Sequence, residues 1–268
     1  MSRITCCFEA LQKAKRKALV TYIINGDPKL SATLPAMHSL VANGADIIEL
    51  GIAFSDPMSD GPSIQPGHER ALASGATLRS AFEVVKAFRK TNDTTPIVLM
   101  GYENPIEKMG YDTFASLAAE SGVDGLIAVD LPPEEAATLN KKLRDVGIVN
   151  IFLMAPTTTV ERAKHIISYA GGFLYYVSLK GVTGAGNLDV ESVNQKLAQF
   201  RSLTSLPICV GFGIKNAESA KAVTQQADGA VMGSVLVEKM GQLAQESDEV
   251  IAQALGELIT PIREALDS

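Results

Sequence analysis

Three groups of residues in this 268-residue chain have types and spacing suited to chemistry. The first is Glu49, in the run Asp46-Ile47-Ile48-Glu49-Leu50-Gly51. As a strand, this run places Ile47, Glu49 and Gly51 on one face. In a closed barrel that face is a dry interior. An ionised carboxylate there is costly, and desolvation lifts its pKa toward the range where it both gives and takes a proton near neutral pH. The rival explanation is a structural ion pair, but the eight strand-like runs named below contain no Lys or Arg to make one. The second group is the loop Ile52 to Pro62, which combines Asp56 and Asp60 with two prolines and a glycine. Asp-Pro and Asp-Gly are ordinary turn dipeptides; Asp60 gains interest from Glu49, because two carboxylates at one site divide proton transfer from charge stabilisation.

The third group is glycine-rich. Val210-Gly211-Phe212-Gly213-Ile214 and Met232-Gly233-Ser234 end two apolar runs, and Val235 opens a short extra helix. Glycine lets a backbone approach an anion closely, and the N–H groups of such loops and of a helix start donate to phosphate oxygens. Leu179-Lys180-Gly181-Val182-Thr183-Gly184-Ala185-Gly186 is a third glycine-rich loop, suited to closing over a ligand.

The elements that position these groups are legible as an alternation. Eight apolar runs, Leu19–Ile24, Asp46–Gly51, Pro96–Tyr102, Gly125–Val129, Asn150–Ala155, Phe173–Ser178, Pro207–Phe212 and Gly229–Ser234, have the continuous hydrophobicity of strands covered on both faces. Between and after them, helical spacing covers Leu30–Ala42, Leu78–Lys90, Tyr111–Glu120, Glu134–Val146, Val160–Tyr169, Val190–Phe200, Ala217–Gln226 and Glu249–Ala265. Pro28, Asp112, Thr159, Asp189 and Asn216 mark starts; Gly44, Gly122 and Gly147 mark ends. An additional N-terminal helix, about Ile4 to Lys15, aligns Ile4, Phe8 and Leu11 to close a barrel bottom. The expected fold is α/β, a single (βα)8 TIM barrel over residues 1–268, with its active site at the C-terminal ends of the strands. An open doubly wound sheet shares the alternation; the eight-unit count favours closure.

Composition narrows the function. Net charge is −6 with both signs interspersed, which disfavours nucleic acid. No apolar run reaches a membrane span and no signal-peptide core precedes a cleavage site, so a cytoplasmic location is expected. Cys6, Cys7 and Cys209 suggest neither disulfide nor zinc, and the separated His38, His68 and His165 are expected on the surface or on helix faces rather than as metal ligands.

The motifs Asn25-Gly26-Asp27-Pro28, Glu49-Leu50-Gly51, Phe54-Ser55-Asp56-Pro57, Asp60-Gly61-Pro62-Ser63-Ile64-Gln65, Gly181-Val182-Thr183-Gly184, Gly211-Phe212-Gly213-Ile214 and Gly233-Ser234 occur in this order. With them the chain resembles the tryptophan synthase α-subunit family along nearly its full length. The resemblance implies retro-aldol cleavage of indole-3-glycerol phosphate into indole and D-glyceraldehyde 3-phosphate, a lyase step of L-tryptophan biosynthesis. It implies that Glu49 is the main acid-base residue and that Asp60 accepts a hydrogen bond from the indole N–H. By the same resemblance Tyr22, Met100, Ile127, Val129, Leu153 and Tyr175 line the indole pocket. Gly184, Gly211, Phe212, Gly213, Gly233 and Ser234 hold the phosphate, and Thr183 helps close the sixth loop. Tyr22 stands where phenylalanine is common, and Lys180 replaces a small or hydroxyl residue.

The resemblance also implies a pyridoxal-phosphate-dependent β subunit as partner, in an α2β2 heterotetramer, with Asp56, Pro57, Asn104 and Pro132 facing it. No cofactor is implied for this chain. Another phosphate-binding barrel, an isomerase or synthase of the same pathway, explains the glycine loops but not the acidic segment. A catalytically idle allosteric subunit is the non-enzyme alternative, and the two carboxylates argue against it.

Overall fold

The computed structural model describes residues 2–178, 190–211, 214 and 216–268. Its first half runs α1 (Arg3–Lys13), β1 (Ala18–Ile24), α2 (Leu30–Ala42), β2 (Ile47–Gly51), α3 (Gln65–Ala73), α4 (Leu78–Arg89), β3 (Ile97–Gly101), α5 (Glu103–Met109), α6 (Tyr111–Ser121) and β4 (Gly125–Ala128). Then follow α7 (Ala137–Asp145), β5 (Val149–Asn150), β6 (Leu153–Met154), α8 (Val160–Tyr169), β7 (Leu174–Val177) and α9 (Val190–Arg201). The chain ends with β8 (Ile208–Gly211), α10 (Ala217–Val223), β9 (Gly229–Met232), α11 (Ser234–Gln242) and α12 (Asp248–Asp267).

All strands pair in parallel, in the order β5-β4-β3-β2-β1-β9-β8-β7-β6. The two outermost strands, β5 and β6, are halves of the expected fifth strand. The Ile151 N–H donates to Leu126 O at 2.8 Å on one side, and the Tyr175 N–H donates to Phe152 O at 3.1 Å on the other. The segment from 149 to 154 therefore closes the sheet on itself, giving a TIM barrel and excluding the open doubly wound alternative.

The strand residues divide by period two into two cores. Leu19, Ile23, Ile48, Leu50, Ile97 and Leu99 belong to the outer core against the helices. Ala18, Val20, Ile47, Val98, Ile127, Ile151, Tyr175, Cys209 and Val231 fill the barrel. Ile4 and Leu11 of α1 join the inner core from below, and Phe8 meets Phe173 with ring centroids 5.8 Å apart, so α1 plugs the bottom as its spacing predicts.

A repeated clamp sits at the same end. Asp46, Asp124 and Asp228 each directly precede a strand and accept the N–H of a residue at the neighbouring strand, namely Leu19 at 2.8 Å, Ile97 at 2.8 Å and Ile208 at 2.7 Å. Each also meets an arginine from a flanking helix: Arg263 at 2.8 Å for Asp46, Arg89 at 2.7 Å for Asp124, and Arg201 for Asp228. A carboxylate holding a backbone donor and a guanidinium is satisfied where it is partly withdrawn from water.

Thr159 and Asn216 cap their helices, and Gly44, Gly122 and Gly147 take the positive φ of helix ends. Asp112 does not start its helix; α6 begins at Tyr111, behind Gly110. The helix expected from Glu134 begins at Ala137. Two helices, α3 and α5, were not expected. Gln65-Pro66-Gly67 has the composition of a loop, yet Pro66 lies in the first turn of α3, where a missing N–H costs nothing. Gly67 is there for packing, since a Cβ would stand 2.6 Å from Val237 and 2.7 Å from Ile24.

Candidate active site at the C-terminal end of the barrel

Glu49 is the middle residue of β2 and is completely buried. Neither of its carboxylate oxygens has a hydrogen-bond partner among the described residues. Burial alone pushes its pKa up to about 8. The group is therefore mostly protonated near neutral pH, as desolvation in the barrel predicts. Two tyrosines share its space. Tyr22 on β1 leans over Gly51, where a Cβ would come 2.6 Å from its hydroxyl; Tyr175 on β7 leans over Gly211, where a Cβ would come 2.0 Å from its hydroxyl. Gly211 thus has a packing reason beside any role toward phosphate.

Burial raises the pKa of both hydroxyls well above the usual tyrosine value, and the charges of Asp60 and Glu49 add to the effect on each. Both carboxylates therefore act on the same pair of rings. Strand residue and loop residue converge at one end of the barrel.

Asp60 is held by a network. The Tyr102 hydroxyl donates to Asp60 Oδ2 at 2.7 Å and accepts the Ser59 N–H at 3.0 Å. The Gln65 amide donates to the Asp60 carbonyl at 2.8 Å. The Phe54 ring stacks on Tyr102 with centroids 5.1 Å apart, and the Phe54 N–H donates to His68 Nδ1 at 3.2 Å. His68 Nε2 stands 3.3 Å from Asp60 Oδ2 without the alignment of a hydrogen bond. The acidic loop is thereby tied to Tyr102, just past the end of β3, and to α3.

Tyr102 and His68 are site neighbours that the sequence reading missed. Tyr102 was legible: continuing period two from Met100 places it on the inner face, one step above the strand. All three histidines lie on helices, as their spacing suggests, but His68 differs from the other two in burial. His38 and His165 stand beside Phe88 and Tyr169, whereas His68, on the inward face of α3, is 2% exposed and meets the acidic loop. Its helical spacing with Ile64 and Ala71 was the available signal, hidden by the adjacent Pro66 and Gly67.

The pocket residues expected on the strands are at the same end. Ile127 and Tyr175 are buried in the barrel core, with Met100, Val129 and Leu153 half-buried above them. A cavity of about 360 Å³ opens beside this rim, lined by Val129, Leu153, Val177, Pro132, Phe152 and Arg162 among others; Glu49 and Asp60 are not in its wall. Gly233 lies against the Tyr22 side chain, and Ser234 begins α11, a nine-residue helix whose leading N–H groups have no intrahelical acceptor. Phe212, Gly213, Thr183 and Gly184, with Lys180 and the rest of the sixth loop, lie outside the described residues.

Asp56 and Asn104 are exposed and Pro57 and Pro132 half-buried, all on segments that follow strand C-termini. Met58, beside Pro57, is 77% exposed, an apolar side chain left open to the surroundings. Among the described residues no group of three or more His, Cys, Asp and Glu gathers to hold a metal ion, and no helix is long and apolar enough to cross a membrane.

The chain is similar to known proteins over its whole length. A family model described as tryptophan synthase alpha chain matches residues 8–265. The tryptophan synthase alpha chain of Marinobacter nauticus is 52% identical, with 100% of this chain and 99% of the relative covered. That of Thioalkalivibrio sulfidiphilus is 53% identical with both chains fully covered. Tryptophan synthase subunit alpha from Legionella pneumophila superposes with a TM-score of 0.91 at 42% identity, covering 100% and 99% of the two chains. A chain of tryptophan synthase from M. tuberculosis in an aminoacrylate-bound form superposes with a TM-score of 0.88 at 30% identity, covering 99% and 100%. Family model, sequence relatives and barrel geometry agree, and this chain belongs to the tryptophan synthase alpha chain family.

Proposed function

We propose that this chain cleaves indole-3-glycerol phosphate to indole and D-glyceraldehyde 3-phosphate, with Glu49 as acid-base group and Asp60 as the carboxylate that meets the indole N–H. The observation that carries the reading is Glu49, a fully buried carboxyl with no partner among the described residues and a pKa raised to about 8. An aromatic carbon leaves poorly until it is protonated. A carboxylic acid that keeps its proton at neutral pH delivers it to indole C3, and the ring nitrogen takes up positive charge that the Asp60 carboxylate stabilises. Loss of the C3′ hydroxyl proton to the Glu49 carboxylate then forms the aldehyde C=O. The C3–C3′ bond breaks, and its electron pair returns to the ring as neutral indole. Proton count and charge balance without a lysine Schiff base.

The remaining parts fit this division. Met100, Ile127, Val129, Leu153 and the two tyrosines offer an apolar wall to the ring, and the start of α11 with Gly233 and Ser234 offers N–H donors to the phosphate. The chain itself needs no cofactor; pyridoxal phosphate belongs to a β subunit that receives the indole in an α2β2 heterotetramer. Exposed Met58 next to Asp56 and Pro57 supports the acidic loop as part of the docking face. The setting is the cytoplasm.

The test is indole release from indole-3-glycerol phosphate by the wild type and by Glu49→Gln, with and without β subunit and with chelator present throughout. Release by the wild type, raised by the partner and nearly abolished by the substitution, is the expected result. No release even with a functional partner overturns the reading.

A further inference from the structure

We propose that His68 is a positioning residue that aims the Asp60 carboxylate, acting as a neutral imidazole whose proton is fixed on Nε2. The proposal deepens the preceding reading of Asp60 and rests on it. Three observations carry it. The Phe54 N–H donates to Nδ1 at 3.2 Å, so Nδ1 is an acceptor and the neutral ring carries its proton on Nε2. Nε2 stands 3.3 Å from Asp60 Oδ2, and it is a buried polar atom without a hydrogen-bond partner among the described residues. The ring is 2% exposed, so no solvent competes for that proton.

A buried N–H 3.3 Å from a carboxylate oxygen, near it but out of line with it, becomes a hydrogen bond when either group reorients. Tyr102 already donates to the same Oδ2. Two donors on one oxygen fix the carboxylate plane and turn Oδ1 toward an incoming ring N–H. Both ends of the device lie in the loop it controls: Phe54 at its start sets the tautomer, and Asp60 near its end receives the donor. The path of the acidic loop and the orientation of its carboxylate are thereby linked through one side chain.

The experiment is a variant cycle read by kcat and KM for indole release, in the presence of the β subunit. His68→Leu keeps the bulk and removes both nitrogens; it is expected to lower kcat about tenfold, the size of a hydrogen bond to a charged group. His68→Gln returns a donor at the Nε2 position and is expected to restore most of that loss, which a purely space-filling role would not show. In an Asp60→Asn background His68→Leu is expected to cost less than twofold further, because the two residues act as a unit. An equal tenfold loss in both backgrounds, or no rescue by Gln, overturns the proposal.

Imidazole nitrogen NMR on the full chain supplies a readout independent of turnover. The expected state is Nε2–H, with its proton resonance displaced by Asp60→Asn; an Nδ1–H tautomer overturns the proposal. Should the wild type release no indole, the reading of function fails, while the NMR result still decides whether His68 engages Asp60.

Discussion

At the bottom of the barrel Asp124, only 5% exposed, accepts a backbone N–H and two guanidinium contacts, from Arg89 at 2.7 Å and Arg3 at 2.9 Å. At the top, Glu49 is fully buried and meets no donor at all among the described residues. The two ends are made of the same strands, and they treat a carboxyl group in opposite ways. A satisfied carboxylate is a fastener: its charge is spent on holding a strand and a helix together. An unsatisfied one costs stability, and persists where its proton has a use. Among the described residues, the three-fold clamp of Asp46, Asp124 and Asp228 has no counterpart at the end where Glu49 and Asp60 stand. Between these extremes lies Asp60, whose carboxylate accepts from Tyr102, has His68 beside it and meets no arginine among the described residues.

The largest effect expected from this contrast is on turnover at the top. Glu49→Gln removes the transferable proton and keeps the shape, so indole release should fall by about 10²- to 10⁴-fold. The same substitution should stabilise the fold at alkaline pH. Glu49 is raised from an ordinary 4.5 to about 8 in the folded chain, so the native state holds the proton more tightly. Stability is then full below about pH 4.5, declines as pH rises toward 8, and stays lowered above it. The penalty is on the order of 5 kcal/mol at pH 9. Glutamine cannot ionise and escapes it. Denaturant unfolding of both chains at pH 5 and pH 9 measures the difference, and a wild type that is no less stable at pH 9 relative to the variant would remove the dry-carboxyl argument.

At the bottom the prediction reverses. Arg89→Met leaves the Asp124 carboxylate buried with one exposed partner, at a cost of about 3 kcal/mol in stability. Below the shifted unfolding transition, kcat should match the wild type. Loss of turnover without loss of stability would mean that the two ends are not separable in the way the carboxylates suggest.

The contrast was half legible in the sequence. Glu49 stood out because an apolar strand held one acid and the strand runs offered no basic partner, and all eight barrel strands were readable from their apolar runs. The clamp was not singled out, although the signal is there: Ala45-Asp46, Val123-Asp124 and Ala227-Asp228 each put an aspartate behind a small or branched apolar residue just before a strand. What identifies their partners is long-range packing; Arg263 meets Asp46 from the far end of the chain. The same limit hid His68. Its helix begins Gln65-Pro66-Gly67, and local propensity gives no account of Gly67 until Val237 and Ile24 are seen against it. The break in the fifth strand also escaped, because an apolar run such as Ile151-Phe152-Leu153 does not say which neighbour takes each N–H.

A middle-sized effect tests the intermediate position of Asp60. Tyr102→Phe deletes the hydroxyl that donates to Oδ2 and accepts from the Ser59 N–H, while keeping the ring that stacks on Phe54. The hydrogen bond to a charged acceptor is worth about 1.5–3 kcal/mol, which corresponds to a loss of about tenfold or more in kcat. Thermal stability should shift little, since the ring remains packed. If the variant lost stability and kept its turnover, the hydroxyl would be a fastener like those at the bottom.

The smallest effect separates holding the carboxylate from holding the loop. Gln65 donates to the backbone carbonyl of Asp60 at 2.8 Å, and its side chain is exposed to solvent. Water replaces such a bond readily, so Gln65→Ala should cost within about 0.5 kcal/mol of stability. Because the grip is on the main chain and not on Oδ2, kcat should fall by less than about threefold, the worth of a few tenths of a kcal/mol in the barrier. Steady-state kinetics on Gln65→Ala beside Tyr102→Phe decides the matter. A Gln65 effect as large as that of Tyr102 would place the control of Asp60 in the loop backbone, and the orientation of the carboxylate by Tyr102 would lose its claim to be the operative contact.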